Sequence, residues 1–300
     1  MAHDTAGALR IVQLYPRDMN IYGDWGNTLT LKRRAERHGL ETEIVDYNPG
    51  DPWPENADLF VGGGGQDSGQ FRVADDLAVV APRLHEAVAR GVPMLAICGL
   101  YQLFGHSFRT GAGETLSGIG IFDLETVAGP ERLIGNIVTE SADLGTIVGY
   151  ENHSGLTHLG AGQQPLASVV SGAGNNGQDA TEGARTANVL GSYLHGSLLP
   201  KNPRVADFLL AAALELRGET LPEGELDDTL APARRSSAGP PAVVGVPPRR
   251  AGGDARVRSF QVGHHQAQEG RPGRQARQGV RQVHQGDRGR GPHGRRGHLG

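Results

Sequence analysis

Six stretches in the first hundred residues alternate between two periods, and that alternation leaves few folds open. "LRIVQLY" (9–15), "ETEIVDYN" (41–48), "ADLFVGGGG" (57–65) and "PMLAIC" (93–98) are apolar runs of strand length. Between them, "TLTLKRRAERHGL" (28–40) and "QFRVADDLAVVAPRLHEAVAR" (70–90) carry apolar residues at helical spacing. Asn27 or Thr28 is available to cap the first helix, and Gly91 is a natural stop for the second. Strands that are apolar throughout fit a parallel sheet covered by helices on both faces, so the expected class is α/β. From about residue 114 the strands become shorter: "GIGIFDLETV", "RLIGNIVTE", "GTIVGYENHSG", "PLASVVSG" and "ANVLGSYLHG". "NPRVADFLLAAALELRG" closes the pattern as an amphipathic helix, and one domain of about 230 residues is expected.

The formal charge of −4 averages two unlike parts. Residues 231–300 hold 14 arginines and three acids, a balance of +11, which leaves −15 for residues 1–230. An acidic body argues against nucleic acid as its partner. Residues 231–300 are rich in Gly, Arg, Gln, His and Pro, without a period that could build a core. Three readings are open for them: a message read out of frame, a disordered tail, or an Arg/Gly-rich nucleic-acid-binding extension. One cysteine in 300 residues excludes an internal disulfide. With no signal-peptide pattern at the start and no apolar run near roughly 18 residues, a cytoplasmic chain without a transmembrane segment is expected.

That one cysteine, Cys98, ends the "PMLAIC" strand, and "GLYQLFGHSF" after it reads as a helix. A lone cysteine is often a small buried hydrophobe. At the carboxyl end of a parallel strand, however, a strand–turn–helix corner lifts the turn residue out of the sheet. A helix N-terminus also favours thiolate over thiol. Gly99 leaves room for close approach. Gly62 to Gly65 follow another strand, so their backbone N–H groups, with the amide after Cys98, can form an oxyanion hole. Such donors are worth about 3–4 kcal/mol each in acyl transfer. A flexible turn is the other reading of the glycines, whereas a phosphate loop is not, because no Lys-Ser/Thr follows them. Of seven histidines in the body, His195 ends the apolar run "ANVLGSYLHG" and is the candidate base. Metal chemistry is not expected.

"AICGLYQ", "GGGGQD" and "GSYLHG" resemble a class I glutamine amidotransferase of the cobyric-acid-synthase-like (CobB/CobQ) group. "YGDWGN", "RLIGNIV", "GTIVGYENHSG" and "VLGSYLHG" are most similar to the branch of that group that serves lipid II amidation. The resemblance covers about residues 9–230. It departs from the group's Gly-x-Cys-x-Gly-x-Gln corner at Ala96 and Leu100, with Gln102 kept, and Ser197 stands where many relatives carry the third triad glutamate.

The resemblance implies a glutamine-amidotransferase fold and L-glutamine as substrate. Cys98 would attack the side-chain amide and His195 would protonate the departing ammonia. Gly64, Gly65, Gly99 and Gln102 would bind substrate, and Arg132 would hold the α-carboxylate. Asp24, on the loop after the first strand, is the candidate to orient His195; the other reading places it as a favourable charge near a helix start. Forming an amide from a carboxylate requires activation, and no phosphate loop is present, so ATP is expected on a partner. The resemblance implies a MurT-like, Mur-ligase-type ATPase that amidates the D-glutamate α-carboxyl of lipid II. Two other readings remain: a glutaminase for a cobyrinate-type amidation, and a degenerate binding scaffold.

Overall fold

Apolar runs that alternate with helical segments have a limited choice, because each must bury its apolar surface against a neighbour. A computed structural model shows how they do so, and it describes residues 7–195, 198–222, 226 and 228. All of these lie in one unit, residues 1–245; the second unit, 246–300, and the readings made for 231–300 lie outside the described residues.

The first half runs β1 (Leu9–Leu14), α1 (Trp25–Arg37), β2 (Thr42–Tyr47), β3 (Leu59–Gly62), α2 (Asp67–Ala89), β4 (Met94–Ile97) and α3 (Gly99–Leu103). β5 (Ser107–Arg109), β6 (Thr115–Ser117), β7 (Leu124–Ser141), β8 (Gly145–Leu159), β9 (Ala167–Ser171) and β10 (Thr181–Glu182) follow. β11 (Ala184–Thr186), β12 (Val189–Ser192), β13 (Leu194–His195) and α4 (Pro203–Leu216) complete the order.

One sheet has the order β11-β12-β4-β3-β1-β2, parallel except for the antiparallel edge strand β11. β3 and β4 are buried at every position, as expected of strands covered on both faces. Parallel order has a functional consequence: the loops after β1, β3, β4 and β12 all open on one edge. A second sheet, largely antiparallel, is built on the long β7–β8 pair. Exposed or half-exposed residues alternate with buried ones along β8, the pattern of a sheet with one face on the core. The chain passes from the first sheet to the second between β12 and β13.

Several expectations are corrected. α1 starts at Trp25, so Asn27 and Thr28 lie inside it, not at its cap. Their side chains face inward instead: Asn27 Oδ1 accepts from the Leu199 N–H (3.0 Å), and Thr28 Oγ1 donates to Gln13. The helix after Cys98 stops at Leu103, because the chain turns at Gly105, where a side chain would overlap Leu124. "GIGIFDLETV" and "RLIGNIVTE" contribute to a single 18-residue strand, β7. Its pairing with β8 shifts register, so that residues 129–132 face Ser154 alone.

Candidate active site

Cys98 sits in a strained backbone conformation, φ +49° and ψ −103°, between β4 and α3. Such a conformation persists only where the surroundings impose it. Here they do: the Cys98 N–H donates to the Ser192 carbonyl (2.8 Å), and the Cys98 carbonyl accepts from the Gln102 N–H (3.0 Å). The residue is 7% exposed and lines a cavity of about 320 Å³. Leu100, which replaces a usual glycine, fits because Gly62 has no side chain; a Cβ there would overlap the Leu100 side chain.

Three candidate side chains converge on one glycine. A Cβ built on Gly64 would lie 2.7 Å from His195 Cε1, 3.0 Å from Cys98 Cβ and 3.3 Å from Asp24 Oδ2. Any side chain at position 64 would therefore displace the group that gathers around it. The Asp24 carboxylate reaches His195 Nδ1 at 3.3–3.4 Å and accepts the Gly64 N–H at 2.8 Å. Asp24 and His195 are each 1% exposed. The Tyr22 ring stands edge-on to the imidazole, with centroids 4.5 Å apart. His195 Nε2 is buried and makes no hydrogen bond among the described residues.

Burial alone would lower the His195 pKa. The negative charges of a Cys98 thiolate and of Asp24 more than reverse that, holding it up at about 10. The imidazole therefore holds its proton near neutral pH, beside Cys98.

The glycine loop divides its work differently from expectation. Gly64 is corrected as an oxyanion donor, because its N–H is already given to Asp24. Among the described residues, the N–H groups of Gly65 and Gly99 meet no acceptor. They are also close: a Cβ on Gly99 would lie 3.0 Å from Gly65 N. Those two N–H groups can receive an oxyanion.

Arg132 lies on the shifted part of β7, which turns it toward the cavity that Cys98 lines. Its guanidinium donates to Asn152 Oδ1 (2.9 and 3.1 Å), to the Asn152 carbonyl (3.0 Å) and to the Tyr22 hydroxyl (3.4 Å). Tyr22 and Asn152 were not singled out from sequence, although both fall inside quoted motifs, "YGDWGN" and "GTIVGYENHSG". Gln102 also borders the cavity, but its amide is engaged: Oε1 accepts from Gln70 (2.8 Å) and Nε2 donates to the Tyr193 hydroxyl (3.1 Å). It braces the cavity wall. His153 stacks on Tyr193 with centroids 3.6 Å apart, and burial lowers its pKa to about 4, so the ring is neutral.

Residues 10–203 match the CobB/CobQ-like glutamine amidotransferase domain. The chain belongs to that family. This amidotransferase is 39% identical over 221 residues to the lipid II isoglutaminyl synthase (glutamine-hydrolyzing) subunit GatD of Staphylococcus aureus, with 73% of this chain and 90% of that protein covered. It is 38% identical to the GatD subunit of Streptococcus pneumoniae, over 69% of this chain and 81% of that one. Cobyric acid synthase of Rhodobacter capsulatus is 32% identical, over 64% of this chain but 41% of its own length. Among solved structures, PurLQS from Thermotoga maritima is similar at a TM-score of 0.48 and 16% identity, covering 68% of this chain and 98% of that one. Among the described residues, no helix is long and apolar enough to cross a membrane.

Proposed function

We propose that this amidotransferase is the glutaminase subunit of a lipid II isoglutaminyl synthase. The observation that carries the chemistry is the convergence of Cys98, His195 and Asp24 on Gly64. The Cys98 thiolate attacks the carboxamide carbon of L-glutamine, and the Gly65 and Gly99 N–H groups receive the negative charge on its oxygen. His195, oriented by Asp24, gives its proton to the departing nitrogen, which leaves as ammonia. A water then adds to the thioester while His195 takes its proton, releasing glutamate and restoring the thiolate. Arg132, held by Asn152 and Tyr22, grips the α-carboxylate.

ATP chemistry belongs to a partner in this reading, a MurT-like ATPase of Mur-ligase type. It would activate the D-glutamate α-carboxyl of lipid II and receive the ammonia before bulk water protonates it. The GatD relatives support the substrate, since each is covered over most of its length. The fit of Leu100 against Gly62 removes one sign of a degenerate scaffold.

Coexpression with the Mur-ligase-type ATPase of the same organism tests the reading. The pair should copurify and amidate lipid II with ATP and glutamine. Cys98→Ala should abolish the glutamine-dependent reaction yet leave the reaction with ammonium chloride. Amidation of a cobyrinate in place of lipid II would overturn the substrate assignment. Full glutamine use by Cys98→Ala would overturn the mechanism.

A further inference from the structure

Glutamine carries an ammonium and a carboxylate on one carbon, and Arg132 answers only the carboxylate. The α-ammonium also enters the cavity, and a cation moved into partial enclosure needs a carboxylate or several carbonyls around it. Fifteen residues line the cavity, and one is acidic: Asp67. It is the first residue of α2, directly after Gln66, whose extended backbone (φ −77°, ψ 164°) brings the chain out of the glycine loop. Its side chain is exposed and makes no hydrogen bond or ion pair among the described residues. On the cavity wall, Gln70 is engaged with Gly99 and Gln102, and Arg132 with Asn152 and Tyr22. An uncommitted carboxylate thus shares a cavity with Cys98 and with an arginine on a different wall.

We infer that Asp67 holds the α-ammonium of the substrate and makes the site selective for α-amino acid amides over amides that lack the amino group. The inference rests on the glutaminase reading above and adds a specificity residue to it. With Arg132 on the carboxylate and Asp67 on the ammonium, two of the substituents on the α-carbon are fixed, and the third, the side chain, is directed at Cys98. Asp67 also stands where a carboxylate favours the start of α2, a role that would affect stability alone.

Two electrophiles separate these roles in the full-length chain, with labelling of Cys98 followed by intact mass. One is 6-diazo-5-oxo-L-norleucine, and the other is 6-diazo-5-oxohexanoate, which lacks the amino group. The wild type should prefer the amino probe by about 10- to 100-fold, the worth of one charge-assisted contact. Asp67→Asn should lose that preference through a raised half-saturation concentration, with the limiting rate kept, and should react with the deamino probe as the wild type does. Asp67→Glu, which restores the charge, should recover much of the preference. A wild-type preference in Asp67→Asn, with or without a lowered melting temperature, overturns the inference. If neither probe labels wild-type Cys98 while iodoacetamide does, the glutaminase reading itself fails and takes this inference with it.

Discussion

One carboxylate, that of Asp24, holds both the His195 imidazole and the Gly64 N–H. Asp24→Asn keeps the shape but removes one of the two negative charges, Cys98 being the other, that raise the His195 pKa, and with it the acceptor that fixes the tautomer. Glutamine turnover should fall by at least about 100-fold with little change in melting temperature, as read by ammonia release and a thermal scan. Near-normal turnover would leave Asp24 only its place ahead of α1. Glu182 poses a different residue-scale question, because it is fully buried and lies outside the cavity. Burial pushes its carboxyl up to about 7, although the Tyr193 N–H and the Ser192 hydroxyl both donate to it. Between the ordinary carboxylate pKa and about 7, the unfolded chain releases this proton while the folded chain keeps it. Stability from this group therefore falls as pH rises through that window and stays low above it. Glu182→Gln should gain on the wild type by up to about 3 kcal/mol above pH 7, a gain that vanishes near pH 4. Urea denaturation at three pH values measures it.

Among the elements, the β7–β8 pair does the most to shape the site. Four residues of β7, 129–132, face Ser154 alone between the pairs Ala128–Gly155 and Leu133–His153. That excess bends the strand and turns Arg132 toward Asn152 and Tyr22. Deleting Gly129 to Glu131 would restore a continuous ladder and withdraw the arginine. The glutamine KM should then rise about as far as in Arg132→Ala, by roughly 10-fold or more, with kcat less affected. An unchanged KM in steady-state kinetics would mean that the irregularity does not serve the substrate. The β12–β13 corner matters in a similar way, since Ser192 holds the Cys98 N–H with its carbonyl and the Leu194 N–H with its hydroxyl. Cys98 and His195 are thus set from one corner.

Across the whole molecule, the segments that follow β1, β3, β4 and β12 bring Asp24, Gly64, Cys98 and His195 together from positions up to 171 residues apart. Parallel strand order makes this possible, because it puts the carboxyl ends of β1, β3, β4 and β12 on the same edge. On the far side of the chain's order, Arg34 of α1 donates to Asp207 of α4 (2.7 Å) and to both oxygens of Asp228 (2.8 Å each). Asp228 is more than a third exposed, so that pair is worth about 1 kcal/mol at most. A chain ending at residue 230 should match the full chain in melting temperature and glutamine turnover. One ending at 222 should melt about 2–4 °C lower. Loss of folding in the 230-residue chain would show that residues 231–300 contribute to the core.

Local signals determined a good part of this protein. Period and apolar run length announced the parallel sheet, and a cysteine between strand and helix announced the corner, because strand burial and turn chemistry depend on neighbours in sequence. His195 and Asp24 could be nominated from their places after strands. Tertiary structure alone decided which N–H of the glycine run is free, since Gly64 gives its own to a residue 40 positions away. It likewise decided that Gln102 is tied to Gln70 and Tyr193, and that Leu100 fits beside Gly62. The second sheet was legible only as a set of short strands, because pairing and register are chosen by distant partners. A hydrogen-bonding group takes whichever partner folding brings within about 3 Å, and no local pattern encodes that choice.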